Sequence, residues 1–465
     1  MGRKVYAHLV GVGGAGMSAL ARVLNERGVP VTGSDLKDSR YARALREQGV
    51  PVAIGHAAEN LGDPEVVVVS SAIPESNPEV AEARRRGIEI WPRARMLAHL
   101  AGELETIAVA GTHGKTTTSA MVATMLDGMG LSPTYLVGGE VSGRGTNAAC
   151  GTGAHYVVEA DESDGSFMFL DPHVAIITNI EADHLDHYGS LERIEETFLD
   201  FMDKVPGDGV LVVCADDARL LELARSRPAR VVTYGVDTGA DVRYRLLSCE
   251  GTSQRFAVEF PEGAAYEVAM SVPGEHMVQN ATGALAAAWA MGLDPAVAAR
   301  ALSGYQGVKR RFDRVGSVAG VDVVDDYAHH PTEVRATLGA ARTCGYRRVW
   351  VVFQPHRYSR TQAFAEEFGA AFDDADGIVL MDVYSAGETP VPGITGKTVL
   401  DELLLHAPHA KVAYLPHRGE VAVYLADQVR PGDLVMTMGA GDVTTVGQEI
   451  VRALEDGGQE VAVCS

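Results

Sequence analysis

Short apolar, β-branched runs recur along the chain. Each ends in a glycine or polar loop, and an apolar stretch at helical spacing often follows. Lys4–Val10, Val29–Gly33 and Glu65–Val69 read as strands, with a helix over Met17–Arg27 after the first. Near Trp91-Pro92 the alternation pauses, and Arg93–Glu103 reads as a connecting helix, which predicts a boundary near residue 100. A second series starts with the run from Thr106 and continues through Tyr156-Val157-Val158, Val174–Asn179, Gly209–Cys214 and Arg230–Tyr234. Between them Gly138–Asn147 reads as loop. Arg243–Val268 alternates as antiparallel strands do, and an alanine-rich helix ends near Met291. The basic cluster Lys309-Arg310-Arg311 marks a second boundary. Beyond it Val321–Asp325, Arg348–Phe353, Gly377–Asp382 and Leu434–Met438 read as strands, each with a helical stretch behind it. The pattern predicts an α/β chain of three domains, 1–100, 101–311 and 312–465.

A chain of 465 residues is too long for one core, which agrees with several domains. A net charge of −22 argues against a nucleic-acid face and against an anionic membrane surface. Any anionic ligand must therefore be held by local glycine loops and a few Arg or Lys. The five cysteines are scattered and lack C-x-x-C spacing, so neither a disulfide framework nor a zinc site is expected. There is no signal peptide and no apolar run long enough to span a bilayer, and the chain reads as cytoplasmic, without membrane insertion.

Two glycine loops carry the first chemistry. Gly11-Val-Gly13-Gly14-Ala15-Gly16 follows a strand and opens a helix, with Asp35 further on. This is the dinucleotide fingerprint, in which a diphosphate lies on a helix N-terminus. It does not distinguish NAD from a nucleotide sugar, and a tight strand–helix turn also explains it. Ser70-Ser71 close another strand, where hydroxyls meet ligands or simply turn the chain. In the second domain Gly111-Thr112-His113-Gly114-Lys115-Thr116-Thr117 leads from strand to helix. Backbone N–H groups there can cradle phosphates, Lys115 can reach the terminal phosphates, and the Thr116 hydroxyl suits Mg²⁺. The strict pattern puts its first glycine at 109, where this chain has Val109. Glu159-Ala-Asp161-Glu162-Ser-Asp164 ends a strand. Glu159, after two buried-type valines, suits a metal bound to ATP, whereas Asp161, Glu162 and Asp164 fit a solvated loop. His184 and His187, three apart in a polar loop, fit a metal or the surface.

Together these motifs resemble the Mur ligases of peptidoglycan synthesis. The resemblance covers nearly the whole chain. It rests on the two glycine loops, Glu159–Asp164, Thr178-Asn-Ile-Glu-Ala-Asp-His184, Asp325-Asp-Tyr-Ala-His-His-Pro-Thr332 and Phe353-Gln-Pro-His-Arg-Tyr358. The late glycine is that family's own variant. The resemblance implies a Rossmann-like first domain, a central P-loop ATPase-type domain with a mixed or parallel sheet, and a doubly wound Rossmann-like third domain. It also implies ATP-dependent joining of UDP-N-acetylmuramate and L-alanine through an acyl phosphate, by a monomer or weak homodimer. Thr116 and Glu159 would hold the ATP-linked Mg²⁺ and His184 a second one, with Mn²⁺ as a substitute. Gly11, Gly13, Gly14, Ala15, Gly16, Asp35 and Ser70 would contact the UDP part, and Asn147 the sugar side. His276 and Asn280 would face adenine, Asp326 the ribose, and Arg311 with Arg310 the ATP phosphates. Tyr327, His329, His356, Arg357 and Arg360 would line the amino-acid site.

The chain departs from the family pattern twice. Met277 stands where the adenine motif has Asn, and Glu195-Glu-Thr-Phe198 offers no lysine for carbamylation, as is usual for the alanine-adding member. Three other readings compete. A sister ligase that attaches a tripeptide has a less glycine-rich first loop. An NAD oxidoreductase leaves Lys115 and Glu159 unexplained. A guanine-nucleotide switch would need an Asn-Lys-x-Asp stretch, which is lacking.

Overall fold

The computed structural model describes residues 5–463 apart from 71 and 164. Ser71, Asp164, the segment Met1–Lys4 and Cys464 therefore lie outside the described residues. By packing, the chain divides into two units. One holds Met1–Arg245, Ala257–Val268 and Gln279–Tyr305, the other Leu246–Phe256, Ala269–Val278 and Gln306–Ser465.

The first unit starts with a parallel five-stranded sheet of β1 (Ala7–Val10), β2 (Val31–Asp35), β3 (Val52–Ile54), β4 (Val66–Val69) and β5 (Glu89–Pro92), in the order β3-β2-β1-β4-β5. Both faces of a parallel sheet are covered, so its central strands are continuous apolar runs, as in the four valines of β4. Val10, Leu61, Val67 and Ala83 form a buried cluster beside it. The pause at Trp91-Pro92 is the edge strand β5, and β3 is likewise short. Edge strands tolerate proline and exposed positions, which removes the apolar signature.

The larger sheet contains β6 (Glu105–Ala110), β7 (Thr134–Val141), β8 (Thr146–Ala149), β9 (His155–Glu159), β10 (Val174–Ile177), β11 (Val210–Cys214) and β12 (Arg230–Gly235), in the order β12-β11-β10-β6-β9-β7-β8. Beyond β12 it continues with β13 (Val242–Glu250), β14 (Ser253–Glu259) and β15 (Ala265–Met270). The expected loop Gly138–Asn147 is instead part of an antiparallel edge hairpin, β7–β8. Its glycines and polar residues mask the strands because one side of an edge needs no apolar partner. The Ala15–Glu26 helix of the first sheet lies on this hairpin. Arg22 donates to the Thr146 hydroxyl at 2.7 Å, and Cys150 N–H donates to Glu26 at 2.9 Å.

The second unit carries β16 (Asp313–Val318), β17 (Val321–Asp326), β18 (Arg348–Phe353), β19 (Gly377–Leu380), β20 (Val412–Tyr414) and β21 (Asp433–Met438), in the order β16-β17-β21-β18-β19-β20. All pairs are parallel except β16–β17. Trp350, Val352, Val435, Leu425 and Ile450 belong to the core packed on this sheet. Among the described residues, no helix is long and apolar enough to cross a membrane.

Candidate active site

Register explains how the glycine loop around Lys115 is built. β6 lies between β9 and β10, with Val109 opposite Glu159 and Ala110 opposite Ile177. The loop therefore leaves the sheet between the Glu159 carboxylate and Thr178. Val109 is a fully buried strand residue. The turn begins at Gly111, whose φ is +130°, and a Cβ there would stand 2.1 Å from the Thr178 hydroxyl. The late glycine is thus a steric requirement. Asn179 grips the loop from both sides, accepting from His113 N–H at 2.9 Å and donating to His113 O at 3.2 Å. Asn280 sits against the far end, where a Cβ on Gly114 would meet its Oδ1 at 2.8 Å. Met277, in contrast, is buried as core.

Lys115 opens the Lys115–Gly128 helix. Its ammonium donates to Gly111 O at 2.6 Å, Thr112 O at 3.1 Å and Glu162 Oε1 at 2.8 Å. Burial opposes the charge, but Glu162 and Asp161 outweigh it and raise the lysine pKa. Glu162 is not a solvated loop residue. It is 3% exposed, and its Oε2 is buried without a partner. Burial pushes its carboxyl up to about 7, against the pull of Lys115. The loop folds back under Lys115, which sequence periodicity cannot show.

Thr116 donates to Glu159 Oε1 at 3.0 Å, and Gly138 N–H donates to Glu159 Oε2 at 2.6 Å. A Cβ on Gly138 would meet both the carboxylate and the Thr116 hydroxyl, so glycine keeps this cradle open. One hydroxyl and one carboxylate beside a phosphate loop are hard oxygen donors that fit Mg²⁺, which supplies charge neutralisation for phosphates. His184 comes after the next strand, β10. It has a φ of +52° and its ring lies 3.6 Å from the Asp183 carboxylate.

The first glycine loop is built the same way. Val10 pairs with Ser34 and Val69, so Gly11, Asp35 and Ser70 leave adjacent strands together. Gly11 and Val12 N–H donate to Ser34 O, and Gly13 N–H donates to Asp35 Oδ2 at 2.8 Å. A Cβ at Gly13 would collide with Asp35 and Ser39. Asn147 reaches this loop from the edge hairpin, donating to Ala15 O at 3.2 Å.

In the second unit, β17, β18 and β21 end side by side, with Asp326 and Phe353 both opposite Met438. The loops behind them gather the expected residues. Arg310 and Arg311 lie 4.8 and 5.1 Å from the Tyr327 ring. Asp326 accepts from Phe312 and Ala328 N–H, and burial pushes its carboxyl up to about 6. The His329 and His356 rings meet edge-on at 5.8 Å, and Arg360 Nη1 lies 3.3 Å from His356 Nδ1. Burial, then the neighbouring His329, Arg360, Arg357 and Arg310, push His356 down to about 3. His276 is buried too, and burial followed by Arg311 pushes it down to about 4.

Sequence reasoning missed Glu388, which accepts from Tyr358 N–H, Ser359 N–H and Ser359 Oγ and so fixes the turn carrying Arg357 and Arg360. It also missed Glu333, which accepts from His329 N–H at 3.0 Å and lies 3.7 Å from Arg311. Pro331 at the helix start, with Glu333 three residues after the N-cap His330, was the available signal for Glu333.

The "Mur ligase family, catalytic domain" model matches residues 6–104, the "Mur ligase middle domain" residues 109–288 and the "Mur ligase, glutamate ligase domain" residues 310–441. A protein of Rubrobacter xylanophilus named UDP-N-acetylmuramate–L-alanine ligase is 49% identical over 96% of this chain and 99% of its own. One of the same name from Desulforamulus reducens is 46% identical over 98% and 99%. The crystal structure of the UDP-N-acetylmuramate-alanine ligase of Thermotoga maritima superposes with a TM-score of 0.80 at 31% identity, covering 97% of this chain and all of that one. A murein peptide ligase from Psychrobacter arcticus gives 0.72 at 26% identity, covering 97% and 98%. With three family models in succession and relatives this similar over nearly its whole length, the chain belongs to the Mur ligase family.

Proposed function

We propose that this protein is an ATP-dependent ligase that joins the lactyl carboxylate of UDP-N-acetylmuramate to the amine of L-alanine, a cytoplasmic step of peptidoglycan synthesis. The observation that carries the reading is the Lys115 loop beside the Thr116–Glu159 pair, in a chain nearly half identical to proteins named for that reaction. A carboxylate is a poor electrophile. Transfer of the γ-phosphoryl group of ATP to its oxygen gives an acyl phosphate and ADP. The free amine then adds to the carbonyl carbon, phosphate leaves, and the nitrogen gives up a proton to form the amide. Charge builds on the transferring phosphoryl, and Lys115 is the cation that this loop would supply to neutralise it. Thr116 and Glu159 would hold Mg²⁺, with His184 at a second ion. Residues 1–100 would take the sugar nucleotide, 101–311 ATP and 312–465 the amino acid, the enzyme acting as a monomer or a weakly associating dimer. Asn280, against the ATP loop, and His276 are assigned to adenine, Asp326 to ribose, and Arg310 and Arg311 to the phosphates.

ADP release should require both UDP-N-acetylmuramate and L-alanine and should be indifferent to NAD. A panel of amino acids and a tripeptide in place of alanine separates this reading from the peptide-adding sister ligase. A thermal shift should also appear with UDP-N-acetylmuramate and not with NAD; the reverse pattern would support the oxidoreductase reading. Glu159→Ala should raise the Mg²⁺ and ATP requirements together by about tenfold, one charge-assisted contact. His184→Ala should lower kcat with little effect on the KM for ATP. Identical Mg²⁺ profiles for the two variants would overturn the assignment to different ions.

A further inference from the structure

The first sheet hides a carboxylate that the reaction does not call for. Glu79, in the Pro78–Arg86 helix, is fully buried. Its Oε2 accepts from Ser34 Oγ at 2.5 Å and lies 3.4 Å from His8 Nε2 and 3.5 Å from His56 Nδ1. Its Oε1 accepts from Asn60 Nδ2 at 2.8 Å and from Ala57 N–H at 3.2 Å. Burial works against the charge, yet the hydrogen bonds of His8, Ser34 and Asn60 bring the carboxyl down to about 2. A buried charge is costly, and well-packed apolar residues usually serve stability as well or better.

The partners of Glu79 are not random core. Ser34 is the penultimate residue of β2, and its carbonyl takes the N–H groups of Gly11 and Val12. The next residue, Asp35, takes that of Gly13. Asn60, Ala57 and His56 belong to the turn behind β3, and Asn60 also ties that turn to Gly55 O at 2.9 Å. His56 closes the circuit with Ser34 Oγ at 2.9 Å. One carboxylate thus fixes the glycine loop and the neighbouring turn, both at the C-terminal ends of strands where doubly wound sheets bind ligands.

We infer that Glu79 is a positioning residue for the sugar nucleotide, acting through Ser34 and the Gly55–Asn60 turn. The inference rests on the reading that the first sheet binds UDP-N-acetylmuramate. In Glu79→Gln an amide N–H₂ must face donors that now point at an oxygen. The KM for UDP-N-acetylmuramate should rise about tenfold or more, the scale of a charge-assisted hydrogen bond. The KM values for ATP and L-alanine, and kcat at saturation, should stay within about twofold of wild type. A tether that only stabilises the fold would lower the melting temperature and leave this split absent. Ser34→Ala and Asn60→Ala each remove one donor and should move the same KM in the same direction by a smaller factor. They decide the matter if the Gln variant does not fold. Unchanged sugar-nucleotide KM in the folded variants would overturn the inference. A wild-type protein that gives no calorimetric signal with UDP-N-acetylmuramate would overturn the reading beneath it instead.

Discussion

Lys115→Ala should lower turnover about 10²–10³-fold while leaving the affinity for UDP-N-acetylmuramate unchanged. The ammonium is held by Gly111 O, Thr112 O and Glu162, so its charge is fixed at its own loop. Losing one preorganised charge at a transferring phosphoryl costs ~3–4 kcal/mol of transition-state stabilisation. The sugar nucleotide is assigned to the first sheet, whose glycine loop is held by Ser34 and Asp35. Removing the lysine also strips Glu162 of its cation, and a buried lone carboxylate takes up a proton instead of unfolding the loop. Steady-state kinetics and calorimetry on the folded variant make the check. Lost sugar-nucleotide affinity would contradict this division of labour.

Arg360→Lys or Arg357→Lys should raise the KM for L-alanine about tenfold or more at one of the two positions, the scale of a charged hydrogen bond. A guanidinium grips a carboxylate with two parallel N–H bonds, which an ammonium cannot reproduce. Arg360 is only 6% exposed, which argues against a solvated surface charge. Its neighbour His356 stays neutral across the physiological range, so its Nδ1 can accept from the guanidinium. Arg357 has a φ of +67° and its N–H is tied to Tyr384 O at 2.8 Å, a geometry that the Glu388-capped turn enforces. The KM values for ATP and UDP-N-acetylmuramate should move little. If both lysine variants keep the wild-type KM for alanine, the carboxylate is held elsewhere.

The strands easiest to read were those buried on both faces. Arg348–Phe353 has the same limits in the structure as in the apolar pattern. Val52–Ile54, Glu89–Pro92 and the β7–β8 hairpin escaped because edges carry glycine, proline and polar residues at no cost. The glycine loops were legible since a positive φ or a close approach leaves a residue-type mark, as at Gly111. The pairing of Thr116 with Glu159 could be anticipated because Glu159 ends β9, the parallel neighbour of β6, and the loop after β6 leads into the helix that carries Thr116. Glu162 and Glu79 could not. Each sits among charged neighbours in the sequence, and only the tertiary fold takes it out of water.

The contact between the Ala15–Glu26 helix and the edge hairpin has a practical consequence for anyone who wishes to dissect the protein. Cutting the chain near residue 100 would release a fragment with the first glycine loop but stripped of Thr146, Asn147 and the Cys150 amide. Arg22, Ala15 O and Glu26 would then face water. The helix that opens at the first glycine loop would lose its outer support, so such a fragment is a poor surrogate for ligand screening. A piece that runs on through Cys150 keeps those contacts, but it ends at the edge of a sheet whose β9, the next strand in, has been removed.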